Sequence, residues 1–222
     1  MKKMRRKLSR LRGAAERGDA EAQFRLVRML ASSPSAARER RQCVIWLKAA
    51  AAAGHSEARY ALANWYIHGI GVRKNYKAAF HYFNMAARQG NRSAQYDLAV
   101  SLETGKGVHK IDERKAVSWY RRAADQGDTA AERELGRCYL YGIGVKQDYE
   151  KARFWYHKAA TAGDAEAQYV LGIAYEDGWG GAKKSDRWAM YWYGRSAEQG
   201  FRSARKVIGR SKSFEKRDKR KA

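Results

Sequence analysis

Two short patterns in this chain contain residue types that could support chemistry, and each lacks a part that the chemistry requires. Ser213 and Lys216 match Ser-x-x-Lys, the nucleophile motif of penicillin-recognising enzymes, but no Ser-Asp-Asn or Lys-Thr-Gly motif accompanies them. Recurring Gly-x-Gly segments resemble part of a phosphate-binding loop, although they lack a third glycine and follow helical patterns. No Cys-x-x-Cys occurs, and metal-ligand spacing is absent among the histidines: His55, His68, His81, His109 and His157. We therefore predict no enzyme activity, no catalytic residue, no metal and no cofactor.

The glycines are better explained by an internal repeat. One glycine returns every 36 or 37 residues: Gly18, Gly54, Gly90, Gly127, Gly163 and Gly200. Five of them follow an aromatic residue by eight positions: Trp46, Tyr82, Trp119, Trp155 and Trp192. Self-similarity at this period is typical of solenoids, whose small units bury their apolar faces against their neighbours.

Each unit contains two helical patterns that are separated by a glycine turn. An alanine and then a leucine or isoleucine follow the leading glycine at intervals of four, which places them on one helical face. The first helix ends at Gly-x-Gly, because glycine adopts the left-handed conformation of a helix end without strain. The second helix begins at a side chain that can cap it: Asn75, Asp112, Asp148 or Ser185. The first unit departs from this pattern, with Ser32-Ser33-Pro34-Ser35 at the turn and Glu39 at the cap position.

This pattern resembles the Sel1-like repeat, a relative of the tetratricopeptide repeat. Residues 127–162 carry it most clearly, as GDTAAERELGRCYLYGIGVKQDYEKARFWYHKAATA, and the likeness extends from residue 18 to about residue 208. The resemblance implies an all-α fold, an α/α superhelical solenoid of about five Sel1-like helical hairpins plus a capping helix. We expect one right-handed array over residues 14–210, with repeats starting near 18, 54, 90, 127, 163 and 200. A flexible basic arm over residues 1–13 and a disordered basic tail over 211–222 would flank it.

The two cysteines and the N-terminal segment predict a cytoplasmic protein. Cys43 and Cys138 lie in different repeat units, and the basic N-terminus lacks the apolar stretch of a secretory signal. We therefore expect the two cysteines to remain thiols. An organelle transit peptide is the alternative for the arginine-rich start, although its serine content is low. No segment approaches the roughly 18 consecutive apolar residues that a transmembrane helix needs.

Positive charge is concentrated at the two ends of the chain. The net charge is +23, of which residues 1–13 supply +7 and residues 201–222 supply +8. Like-charged ends often act as interaction arms, for nucleic acid, acidic protein or anionic lipid. The candidates for binding polyanions there are Lys2, Lys3, Arg5, Arg6, Lys7, Lys216, Arg217, Lys219 and Arg220. Met4, Leu8 and Leu11 have helical spacing, so the N-terminal arm could instead extend the first repeat.

Further basic residues follow the glycine turns. In a regular array, equivalent positions line up, so these side chains would form a basic stripe along one edge: Arg73, Lys74, Lys110, Lys146, Lys183 and Lys184. An ordinary solvated loop rim is the alternative. Together with the tails, the stripe supports a second hypothesis, a nucleic-acid-associated factor that binds without sequence preference.

The first helices of such solenoids line the concave wall, where a protein partner would bind. Residues six and ten places after the leading glycine share one face, and the candidates there are Tyr60, Asn64, Tyr96, Arg133, Arg137 and Tyr169. The two arginines form a positive spot, or else pair with Glu132, Glu134 or acids of a neighbouring unit. Trp179 lies in a turn, where it could anchor a partner or pack on the next helix. The favoured hypothesis is a non-enzymatic adaptor that binds a protein partner, expected to be acidic.

Overall fold

The computed structural model describes the backbone of residues 2–31 and 36–218, and the side chains of residues 8–31 and 39–210. In these ranges the chain forms twelve α-helices and no strand, which confirms the predicted all-α fold class. The turn predicted at Ser32-Ser33-Pro34-Ser35 lies outside the described residues. The helices are α1 Lys2–Glu16, α2 Ala20–Ala31, α3 Ala36–Ala52, α4 Ser56–His68, α5 Tyr76–Arg88, α6 Arg92–Thr104, α7 Glu113–Asp125, α8 Thr129–Tyr141, α9 Tyr149–Thr161, α10 Ala165–Asp177, α11 Asp186–Glu198 and α12 Arg202–Asp218.

The helices belong to two compact units, α1–α6 and α7–α12, divided between Ile111 and Asp112. Within each unit every helix packs against the next one along the chain, as stacked helical hairpins require. The repeated leucines are at most 1% exposed and belong to the buried core: Leu26, Leu62, Leu98, Leu135 and Leu171. The small residue next to each middle leucine has its predicted role, since a Cβ on Gly136 would lie 2.8 Å from the ring of Tyr156.

The predicted caps of the second helices are present. The side chains of Asn75, Asp112, Asp148 and Ser185 each accept a hydrogen bond from the backbone N–H three residues later. The first helices have caps that the sequence analysis did not identify: Asp19, His55, Asn91, Asp128 and Asp164. These side chains satisfy N–H groups that have no partner inside the helix.

The glycine turns allow close backbone packing as well as helix termination. Gly69, Gly105, Gly142 and Gly178 end the first helices in the left-handed conformation. The second glycine of the turn lies against the start of the preceding hairpin's second helix. A Cβ on Gly107 would overlap the carbonyl of Tyr76, and one on Gly144 would lie 2.5 Å from the carbonyl oxygen of Glu113. Both glycines are therefore required by contact as well as by backbone angle.

A side chain on most first helices also ties down the end of the preceding helix. Five residues after the leading glycine, Gln23, Gln95 and Gln168 donate through Nε2 to the carbonyls of Ala15, Ala87 and Ala160 at 3.0–3.2 Å. Arg59 and Arg205 donate through Nε to the carbonyls of Ala51 and Ala197 in the same way. The last carbonyls of a helix lack partners inside it, so these bonds join consecutive hairpins.

Helical backbone enters both segments that were predicted to flank the array. Helix α1 begins at Lys2, and Leu8 and Leu11 pack against the core formed by residues 15–65. This packing supports the alternative in which the N-terminal segment extends the first repeat. Helix α12 continues to Asp218, past the predicted boundary at residue 210. Residues 211–218 contain no glycine or proline and are rich in lysine, arginine and glutamate, which favour helix.

Candidate functional site

The aromatic residues predicted for the partner-binding face are only partly accessible. Tyr60 is half-buried with its ring 5.9 Å from that of Phe83 on the second helix of its own hairpin. Burial, assisted by the nearby charge of Asp97, raises the pKa of Tyr60 above its ordinary value. Tyr96 is also half-buried. The Tyr60 ring thus packs between the two helices of its own hairpin.

The neighbouring candidates on this face are likewise engaged. Asn64 donates from its side chain to the backbone carbonyl of Tyr60 at 3.1 Å. Tyr169 lies between two aromatic rings, 5.5 Å from Tyr193 and 5.3 Å from Phe201. Asn64 and Tyr169 thus have contacts within the protein itself. The partner-binding role of this face stays a prediction.

Arg133 and Arg137 lie in an acidic network. Arg133 pairs with Glu134 and Asp164 at 3.0 Å and with Glu166 at 3.5 Å, and Arg137 pairs with Glu134 at 2.7 Å. Burial alone would lower the pKa of Arg133, but the hydrogen bond to Glu134 and the surrounding carboxylates outweigh it and raise that pKa. The two charges are thus compensated, and this arrangement corresponds to the ion-pair alternative.

Trp179 is half-buried in its turn, with its ring 6.2 Å from that of Tyr149 at the start of α9. A more accessible group of rings lies on α11, where Trp188 and Tyr191 are 50% and 45% exposed. Their ring centroids are 5.5 Å apart. Tyr191 was not among the predicted residues, although its position directly before the marker tryptophan Trp192 was a usable signal.

The basic residues of the turns are all exposed, as a binding rim requires: Arg73, Lys74, Lys110, Lys146, Lys183 and Lys184. The stems of two of them pack against the first glycine of the turn, since a Cβ on Gly69 would lie 3.0 Å from the Cγ atom of Lys74 and one on Gly178 would lie 2.8 Å from that of Lys184. The ammonium groups extend beyond a packed hydrocarbon stem. For the tail candidates, the side chains of Lys2, Lys3, Arg5, Arg6, Lys7, Lys216 and Arg217 and all of Lys219 and Arg220 lie outside the described residues.

Charge is divided unevenly between the repeats. Residues 112–200 contain fourteen basic and fourteen acidic residues, so they carry no net charge. Residues 36–111 contain twelve basic and four acidic residues, a net charge of +8. The acidic residues of the second unit form several pairs, including Lys115 with Asp112 and Lys151 with Asp148. The basic excess of the repeats therefore lies in the first unit.

Part of that excess surrounds an open cavity of about 600 Å³ between α3 and the turn before α5. Lys48 of α3 and Arg73 and Lys74 of the turn line it, with Val44 and Tyr66 beside them. Among the described residues, none of the three basic side chains pairs with a carboxylate. The sequence pattern predicted the two turn residues but not Lys48, because Lys48 joins them only when α3 packs beside the turn.

Other kinds of site are not found in the part of the chain that the structure describes. No group of three or more His, Cys, Asp or Glu side chains there could hold a metal ion. Cys43 and Cys138 are buried free thiols, as predicted, and burial raises the pKa of Cys43. None of the described helices combines the length and the apolar character needed to cross a membrane.

Comparison with known proteins agrees with the repeat geometry. The Sel1 repeat model matches residues 20–55, 56–91, 92–128, 129–164 and 165–201. The chain therefore belongs to the Sel1 repeat family, and the predicted resemblance is confirmed. No curated protein gives a significant match.

Two solved structures show the same fold. One is c5321, a protective antigen present in uropathogenic Escherichia coli strains and displaying an SLR fold, which is 34% identical with a TM-score of 0.84. The match covers 89% of this chain but 42% of that one. The other is a Sel1 repeat protein from Oxalobacter formigenes, 32% identical with a TM-score of 0.79, over 91% of this chain and 59% of that one. This chain thus spans about half of the relatives it matches.

Proposed function

We propose that this protein is a non-enzymatic adaptor that binds an acidic protein partner through the basic surface of its first unit. Membership of the Sel1 repeat family supports the adaptor role, because such repeats generally serve as protein-interaction scaffolds. The observation that supports an acidic partner is the net charge of +8 on residues 36–111, whereas residues 112–200 have no net charge. Uncompensated charge on one surface steers an oppositely charged partner and helps to select it.

The absence of catalysis and the cytoplasmic compartment belong to the same proposal. Solenoid folds carry many functions, so the absence of catalysis is inferred from the family and from the residues rather than from fold alone. We place the protein in the cytoplasm, where a reducing environment keeps thiols such as Cys43 and Cys138 from forming disulfides.

Affinity purification of the tagged full chain tests the adaptor role. The expected result is a stoichiometric acidic protein that is retained after nuclease treatment and is released as the salt concentration rises. The purified partner should then bind the purified chain directly, and should bind less well when Arg73 and Lys74 are replaced by glutamate. Loss of all captured proteins after nuclease treatment would contradict an adaptor that binds protein.

A second candidate function is binding of nucleic acid through the terminal segments. It is favoured by one specific observation, the +15 charge carried by residues 1–13 and 201–222 together. Such binding would use phosphate contacts and would be independent of sequence, with a strong dependence on salt.

A further inference from the structure

The geometry points to the cavity between α3 and the turn before α5 as the place where an acidic side chain of a polypeptide partner binds. We propose that this partner segment carries apolar side chains beside its acidic ones. The inference rests on the proposed adaptor function and deepens it, since it names the site and the chemistry of the bound segment.

The cavity is held in shape by packed backbone. Gly71 lies directly against α3, because a Cβ there would meet Val44 Cγ2 at 2.8 Å and Arg40 Cγ at 2.9 Å. The backbone N–H of Asn75 donates to the carbonyl of Tyr66 at 3.0 Å, which fixes the end of the turn to α4. A preformed site of this kind binds its ligand without a large cost of ordering its own residues.

The equivalent position in the second unit differs from the cavity in the first unit. There Arg121 corresponds to Lys48 and Tyr139 to Tyr66, and the guanidinium of Arg121 donates to the Tyr139 hydroxyl. The same guanidinium lies 5.8 Å from the centre of the Tyr139 ring. In the second unit, a basic side chain of the protein thus covers the tyrosine.

The caps of the two sites differ in charge. Asp148 caps α9 and also pairs with Lys151 at 2.7 Å, and Asp112 pairs with Lys115 in the same way at 2.8 Å. At the first-unit cavity the cap is Asn75, which forms the capping hydrogen bond to Ala78 but has no charge. The first site therefore has the basic side chains and lacks the carboxylate that accompanies them elsewhere.

The start of helix α5 adds to this uncompensated charge. Its first turn contains no acidic residue, whereas α7, α9 and α11 carry Glu113, Glu150 and Asp186 there. Because a helix N-terminus has a partial positive charge, an acidic group beside it is stabilised. A carboxylate from a partner would place at the start of α5 the negative charge that the chain itself places at the starts of α7, α9 and α11.

Exposed apolar residues beside the cavity favour a polypeptide over a nucleic acid. Ile45 is 58% exposed, Ile70 38% and Tyr76 46%, and each directly adjoins in sequence a residue that lines the cavity. Nucleic-acid backbones present charged phosphates and polar sugars, which gain little from packing against aliphatic side chains. Protein interfaces instead combine an apolar centre with a polar rim.

The test measures binding of a short fluorescein-labelled peptide of glutamate, leucine and glycine to the full chain by fluorescence anisotropy. The decisive variant is Asn75→Asp, because aspartate caps a helix as well as asparagine and returns a carboxylate to the site. We expect it to weaken binding several-fold without lowering the melting temperature. The double variant Arg73→Glu/Lys74→Glu should weaken binding by roughly tenfold or more, since like charges then face the peptide.

The matched control is Lys183→Glu/Lys184→Glu, which makes the same charge change at equivalent turn positions. It should alter the affinity of the peptide by less than about twofold, because neither lysine lines the proposed site and exposed charges outside a binding site are largely screened. An equal loss in both double variants, or unchanged binding by the Asn75 variant, would overturn the assigned site and leave the adaptor function standing. No binding by the unmodified chain at low salt would overturn the assigned site, whereas the affinity purification tests the adaptor function separately.

Two further probes decide the chemistry of the ligand. An oligoglutamate of the same charge should bind more weakly than the leucine-containing peptide. Equal affinity would show that apolar side chains contribute nothing and would overturn that part of the proposal. An oligothymidylate of the same charge should also bind more weakly. If it binds more tightly and loses affinity in Arg73→Glu/Lys74→Glu, the site serves nucleic acid and the polypeptide proposal is wrong.

Discussion

Lys158 Nζ lies 3.1 Å from a carboxylate oxygen of Glu132, whose side chain is only 6% exposed. Glu132 occupies the position at which Gln23, Gln95 and Gln168 donate to the last turn of the preceding helix. An ionised carboxylate has no proton to donate, so this repeat replaces the interhelical hydrogen bond with an ion pair. The ammonium of Lys158 also lies 4.7 Å from the centre of the Trp155 ring.

We expect Lys158→Met to lower the free energy of unfolding by about 1–2 kcal/mol, because it leaves a buried carboxylate without its cation while keeping the hydrocarbon stem. Glu132→Gln should have little effect, since glutamine can make the bond seen in the other repeats. The double variant should be more stable than Lys158→Met alone. Chemical denaturation of the four proteins measures these differences, and strict additivity would contradict the coupling.

A second prediction concerns the two roles of glycine. Gly90 and Gly107 both have positive φ, 89° and 80°, but a Cβ on Gly90 would contact nothing within 4 Å. We expect Gly90→Ala to destabilise by about 1–2 kcal/mol, the cost of a left-handed alanine. Gly107→Ala should cost clearly more, because its Cβ would also overlap the Tyr76 carbonyl. Equal melting temperatures for the two variants would contradict the close contact.

Much of the fold could be predicted from the sequence because the pattern is local and repeated. The spacing of Leu62 and Leu135 identified the buried face, and Asn75 identified the start of a second helix. The caps of the first helices were harder, since His55 is not a usual cap residue. Its Nδ1 accepts from Ala58 while its Nε2 lies 2.8 Å from Glu21 on another helix.

The candidate sites were less predictable, because each depends on residues that are distant in sequence. Arg133 could either bind a partner or pair internally, and its internal partner Asp164 lies 31 residues later in the sequence. Lys48 has no charged residue within six positions in the sequence and becomes part of a basic cavity only beside the turn at Arg73. Local sequence patterns thus predict helices and their caps. Which charged side chains pair with each other can be predicted only from the packed structure.

Arg133 provides a third prediction. We expect Arg133→Gln to lower the free energy of unfolding by about 1–2 kcal/mol, since Asp164 and Glu134 would lose a shared cation. The value is modest because the Arg133 side chain remains 25% exposed to solvent. Arg187→Gln, at an exposed position, is a suitable control. Unchanged stability together with weaker partner binding would instead support the role of Arg133 at the partner-binding face.

A fourth prediction concerns alkaline pH. Burial raises the pKa values of Tyr156 and Tyr193, and for Tyr193 the hydrogen bond to Glu176 contributes further. Because the folded pKa values exceed those of the unfolded chain, their contribution to stability is complete below about pH 10 and is lost as the pH rises above it. The melting temperature should fall above that pH, with tyrosine ionisation at unfolding. Tyr193→Phe should reduce the fall, and an identical pH profile would contradict this assignment.

The last prediction separates the two candidate functions through the salt dependence of binding. Leu8 and Leu11 pack on the core, so the truncation that tests the tails should remove residues 1–7 and 211–222 and spare both leucines. It removes eleven basic and two acidic residues. If the tails bind nucleic acid, the logarithm of the affinity for duplex DNA should fall with the logarithm of salt by roughly 0.7–0.9 per phosphate contact, and the truncation should flatten this slope.

Binding of the glutamate–leucine peptide should change little, because its proposed site at Arg73 and Lys74 is intact. If the truncation instead weakens peptide and DNA binding equally while melting remains cooperative, the tails rather than the repeats select acidic ligands, and the first unit loses its proposed role.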